Sequence, residues 1–87
     1  MTPELLAETV GWIGAGLILA GYALLTAGKL KSDSVAYQAM NVVGALGFIV
    51  NGWWHNALPS TVLNVIWAGI GLVALIGIFA KRGAAAR

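Results

Sequence analysis

The strongest constraint on this chain is where its charges are not. No Asp, Glu, Lys or Arg occurs between Glu8 and Lys29, or between Asp33 and Lys81. A helix crosses about 30 Å of hydrocarbon with about 20 apolar residues at 1.5 Å each, and the uncharged sequence is cut into three such lengths. The cuts are the polar connection Lys29-Leu30-Lys31-Ser32-Asp33-Ser34 and the turn His55-Asn56-Ala57-Leu58-Pro59-Ser60. The expected spans are residues 9–28, 35–54 and 59–80, in one domain covering 1–87. Ser/Asp/Ser offers helix N-caps, Pro59 suits a first helical turn, and the tail 81–87 is expected to fray.

Composition sharpens this into an all-α membrane protein. Of 87 residues 60% are hydrophobic and 9% charged, with a mean hydropathy of +0.87. A chain this short buries only about 60% of the surface its unfolded form exposes, so most of its Leu, Ile, Val and Trp must meet lipid. The absence of Cys removes disulfides and thiolate metal sites, and one His with three carboxylates leaves little for metal or acid–base chemistry. An enzyme is not expected, nor a metal or cofactor. Five cations spread over a loop and a tail make no basic face for nucleic acid.

Those cations instead report orientation. The first loop carries Lys29 and Lys31 and the tail Lys81, Arg82 and Arg87, whereas the N-terminus carries Glu4 and Glu8 and the second loop has no Lys or Arg. The positive-inside rule places the first loop and C-terminus in the cytoplasm, and the N-terminus and His55 turn outside. Trp53 and Trp54 suit that outer interface. The acidic flank and length of the first span argue against a cleaved signal peptide.

At about 100° per residue, Tyr37, Gln38, Asn41, Gly44, Ala45, Phe48, Asn51 and Gly52 share one arc of the second span. The third span repeats the pattern with Ala57, Ser60, Thr61, Asn64, Trp67, Ala68 and Gly71. An amide facing hydrocarbon loses hydrogen bonds at a cost of several kcal/mol, so these side chains must face protein or water. Each reads two ways: as interhelical glue, or as the wall of a wet pocket. Gln38, Asn51 and Ser60 fit glue more readily, while Asn41 and Asn64 lie nearer mid-span. The first span has no amide but many small residues, including Gly14 and Gly21, which suit packing or bending as Pro59 does.

No span holds a charge, which removes proton-coupled export and voltage sensing as readings. Amides offer donor and acceptor together, and aromatic faces cover apolar ring surfaces, so Asn41, Asn64, Phe48 and Trp67 suit a small neutral polar solute. Three helices cannot surround a hydrated path. A homodimer is therefore expected, with both copies inserted the same way about a two-fold axis along the membrane normal.

The stretch from Phe48-Ile49-Val50-Asn51-Gly52-Trp53-Trp54 through His55-Asn56-Ala57-Leu58-Pro59-Ser60 to Thr61-Val62-Leu63-Asn64 resembles the SemiSWEET half-transporters of the PQ-loop and MtN3-like superfamily. The resemblance covers nearly the whole chain. It implies a three-helix half-transporter pairing into a sugar carrier of the bacterial inner membrane, with Asn64 at the pocket Asn and Phe48 where the family has Trp. Gly21-Tyr22 stands roughly where that family has Pro-Gln. Gly28-Lys29-Leu30, Tyr37-Gln38, Asn41, Gly44-Ala45 and Pro59 through Trp67 also look like a group of small uncharacterised bacterial three-helix proteins. The expected function is a uniporter working by alternating access. The alternative is a small non-transporting scaffold or regulatory subunit of a larger complex.

Overall fold

The structure, a computed structural model, describes residues 1–86. It is all-helical: α1 spans Pro3–Thr26, α2 Val35–Trp54 and α3 Leu58–Ala86. Each helix is long and apolar enough to cross a membrane.

Local chemistry sets the ends. Thr2 caps α1, its hydroxyl accepting the Leu5 N–H at 3.1 Å, with Pro3 and Glu4 in the first turn. The helix therefore starts six residues before the expected position 9, because a carboxylate such as Glu8 bounds an uncharged stretch without ending a helix. At the other end Gly28 turns left-handed at φ 77°. Its N–H donates to the Leu25 carbonyl at 3.1 Å, and Lys29 N–H donates to Leu24 at 2.9 Å. This is a glycine-terminated stop, so Gly28 lies outside the span to which the uncharged pattern assigns it.

Helix α2 has the expected bounds. Ser34 accepts the Tyr37 N–H at 3.1 Å, and the helix ends by the same type of stop with Asn56 at φ 56°. The N–H groups of Asn56 and Ala57 there donate to Trp53 and Gly52, at 3.3 and 2.8 Å. Asn is among the few residues with a side chain that visit this region routinely. Helix α3 starts with Pro59 in its first turn and runs past the expected stop at Ala80. It takes in residues 81–86, assigned above to a fraying tail. Cations do not end a helix, and Ala is the strongest helix former. Within this extension the Arg82 guanidinium stands 6.0 Å from the Phe79 ring centroid.

The helices run up, down and up with α2 in the middle. Among the described residues no Cα of α1 lies within 8 Å of one of α3. The α1–α2 seam is backbone against backbone. A Cβ added to Gly14 would meet the Gly44 carbonyl oxygen at 2.6 Å, and one added to Gly47 would strike the Val10 carbonyl. On the other flank of α2, a Cβ on Gly52 would meet Thr61 Oγ1 at 2.5 Å and one on Gly71 would meet Val42 Cγ2 at 2.6 Å. Small residues are what let the helices approach this closely. Gly14 thus packs within a continuous helix. Gly21 is buried with ordinary spacing to Tyr37 and Met40, and Gly16 faces open space.

Side-chain exposure follows the expected arc for Asn41, Gly44, Ala45 and Gly52, which are buried, and for Val43, Leu46, Val50 and Trp53 on the opposite side, which are exposed. Val42, outside that arc, is buried as well, because α3 packs its Gly71 against it. Among the described residues no large side chain is fully buried. This apolar exterior suits lipid as solvent.

Candidate functional site

Because α1 and α3 flank α2 without meeting, a groove runs between them. A hollow in it of about 420 Å³ is lined by Tyr37, Asn41 and Phe48 of the central helix α2, by Ala15, Ile18, Leu19 and Tyr22 of α1 on one side, and by Trp67 of α3 on the other. Three of the four residues expected to bind solute, Asn41, Phe48 and Trp67, therefore come together here.

Asn41 is the polar centre of this groove. It is 6% exposed, yet its amide makes no hydrogen bond to another described residue, and none of its polar atoms is sealed off without a partner. The amide thus borders the groove space. The other three amides within the spans are already engaged. Asn51 Nδ2 donates to the Ala7 carbonyl at 3.0 Å, tying α2 to α1. Gln38 Nε2 donates to the Ser32 carbonyl at 2.7 Å, holding the first loop against α2. Asn64 Nδ2 donates to the Ser60 carbonyl one turn back on its own helix, at 2.9 Å. Asn64 is absent from the groove lining, unlike its expected place at the pocket centre. An Asn side chain within a helix finds the carbonyl four residues earlier as its nearest acceptor, and Ser60 serves through that carbonyl.

Along the chain Tyr22 stands out only as half of the Gly21-Tyr22 pair, because the amide and other aromatic rings it joins in the groove come from α2 and α3. Tyr37 sits on the polar arc but was not singled out for the pocket. A second hollow of about 280 Å³ lies toward the α1 N-terminus, lined by Glu8, Gly11, Trp12, Ala15, Phe48 and Asn51. Ala15 and Phe48 belong to both hollows, so the Phe48 ring stands between them. At its rim the His55 imidazole Nε2 donates to Glu8 Oε1 at 2.7 Å, with both side chains about half exposed. The signal for that pair was available, since the positive-inside argument already put Glu8 and His55 on one side. Among the described residues no cluster of His, Cys, Asp and Glu has the grouping of a metal site.

The fold thus defines a three-helix protein suited to a bilayer, with a lateral groove holding one unengaged amide among aromatic rings. A protein-family model matches residues 7–82, and the chain belongs to that family, which is uncharacterised. No curated protein and no solved structure matches it.

Proposed function

We propose that this chain is one half of a membrane carrier for a small neutral polar solute, a sugar among the candidates. Two copies, inserted the same way in a bacterial inner membrane, close their grooves against each other about a two-fold axis. The N-terminus faces outside and the C-terminus the cytoplasm. A groove open along one side is half of an enclosed path, and alternating access then amounts to rocking one protomer against the other.

The observation that carries this reading is Asn41. In a bilayer, an amide bordering a groove with no partner but hydrocarbon costs several kcal/mol, a cost a purely structural position avoids by taking an apolar residue. A solute hydroxyl would satisfy both its donor and its acceptor, with Phe48, Trp67, Tyr22 and Tyr37 covering the solute's apolar surface. Asn64 takes second place, since its donor is engaged with Ser60.

Uptake of radiolabelled sugars and polyols into proteoliposomes tests the proposal. It is expected to saturate, to ignore an imposed pH gradient and to fall to background in Asn41→Leu. Uptake indistinguishable from empty liposomes across the panel, or unchanged in Asn41→Leu, counts against it. The Asn51 amide, which bonds α2 to the Ala7 carbonyl of α1, favours a second reading, a non-transporting scaffold held together by helix–helix hydrogen bonds. In that case Asn41 finds its partner in another subunit.

A further inference from the structure

From the donor and acceptor inventory of the hollow around Glu8 we infer a binding site for an alkylated ammonium group, adjoining the Asn41 groove at Ala15 and Phe48 and requiring neither transport nor a second copy. The hollow is about 280 Å³, roomy for a trimethylammonium head and far larger than a bare metal ion.

Its donors are almost all engaged. His55 Nε2 must be the donor toward Glu8, because a carboxylate oxygen only accepts. The Asn51 NH2 group is turned to the Ala7 carbonyl. What remains toward the hollow is acceptor in character: Glu8 Oε2 and Asn51 Oδ1 have no hydrogen-bond partner among the described residues, since only the other atom of each group is bonded. The one unengaged donor is the indole N–H on the edge of Trp12, which is 75% exposed.

Trp12 and Phe48 supply the aromatic part of the lining. Aromatic faces carry negative electrostatic potential and attract cations, quaternary ammonium above all. A carboxylate beside two such rings, with little donor capacity left, complements a positive group that is bulky, weakly hydrated and has no need of an acceptor array. An anion would meet the Glu8 charge, and a neutral sugar would find few donors.

Gly11 shapes the hollow. A Cβ there would meet Asn51 Nδ2 at 2.6 Å, so the missing side chain lets the Asn51 amide approach α1 and line the hollow beside Trp12. The site's chemistry is shared by a free solute such as choline and by a phosphatidylcholine headgroup, and the hollow runs from Glu8, in the second turn of α1, inward to Ala15 at the middle of that helix.

The full chain, in nanodiscs of phosphatidylglycerol alone, is titrated with choline and with its neutral carbon isostere by calorimetry. Choline is expected to bind and the isostere to bind at least about tenfold more weakly, the isostere lacking the charge read by Glu8 and the rings. Glu8→Gln, which keeps an acceptor for His55, is expected to weaken choline about tenfold, while Glu4→Gln, an equal charge change outside the hollow, leaves it unchanged. Trp12→Leu, at an exposed position that folding does not depend on, weakens choline without affecting the isostere. Repeating the titration in phosphatidylcholine discs separates the sources: retained binding assigns a soluble ligand, and suppressed binding assigns the headgroup. Absence of choline binding in phosphatidylglycerol discs overturns the site. Equal affinity for the isostere, displacement by sodium at equal concentration, or indifference to both Glu8→Gln and Trp12→Leu does the same.

Discussion

The carbonyl oxygen of Gly44 lies 2.6 Å from where a Cβ on Gly14 would stand, so α1 and α2 meet through their main chains. A backbone carbonyl within a helix cannot swing aside as a side chain can. Gly14→Ala is therefore expected to force the helices apart and to cost about 1–3 kcal/mol, read as easier unfolding in an SDS titration. Gly16→Ala is the matched control. Its Cβ meets nothing within 4 Å, and Ala is the better helix former by up to about 1 kcal/mol, so stability should hold or rise. Equal losses in both variants would show that the seam is not what limits stability.

Asn51 gives a smaller effect of a different kind. Its amide bonds the Ala7 carbonyl at 3.0 Å, and interhelical hydrogen bonds of this sort contribute about 0.6–2 kcal/mol in membranes. Asn51→Ala is expected to lose an amount in that range in the same titration, with helix content by circular dichroism unchanged.

Asn41 should behave in the opposite way. With no hydrogen bond to lose among the described residues, Asn41→Leu is expected to leave SDS resistance unchanged or to raise it by about 1 kcal/mol, since an apolar side chain of similar size removes a desolvation cost. The same variant is expected to abolish solute uptake. A loss of stability of about 2 kcal/mol or more would reveal a bonding partner for the amide and favour the scaffold reading.

Orientation can be read directly because the chain has no Cys. Single-cysteine variants Glu4→Cys and Ser32→Cys lie at opposite ends of α1 and keep every Lys and Arg. Under the positive-inside rule, a membrane-impermeant maleimide added to intact cells is expected to label the first and to reach the second only after lysis. The reverse pattern would invert the proposed topology.

Much of this architecture is legible along the chain, because the features that specify it are local. Hydrophobic length fixes how many helices form, and the Ser34 cap with the Trp53-Trp54-His55-Asn56 end delimits α2 within its own neighbourhood. The same holds for which arc of α2 faces inward, since amides and small residues recur at helical spacing. The α1 start was legible too: Thr2-Pro3-Glu4 is a cap signal, outweighed in the reading of charges by Glu8. Where α3 ends was not, because Lys81 and Arg82 set a boundary of hydrophobicity and not of helix.

Tertiary structure alone decided what each polar group does. The four amides within the spans, of the same chemistry, diverge into three engaged and one unengaged, and the difference rests on whether a particular carbonyl, such as Ala7 for Asn51 or Ser60 for Asn64, falls within about 3 Å. The central place of α2 is of the same kind, as are the gathering of Tyr22, Asn41 and Trp67 from three helices and the Glu8–His55 pair. Sequence periodicity reports the direction of a side chain around its own axis. It carries no distance to a neighbouring backbone, and hydrogen bonds depend steeply on that distance.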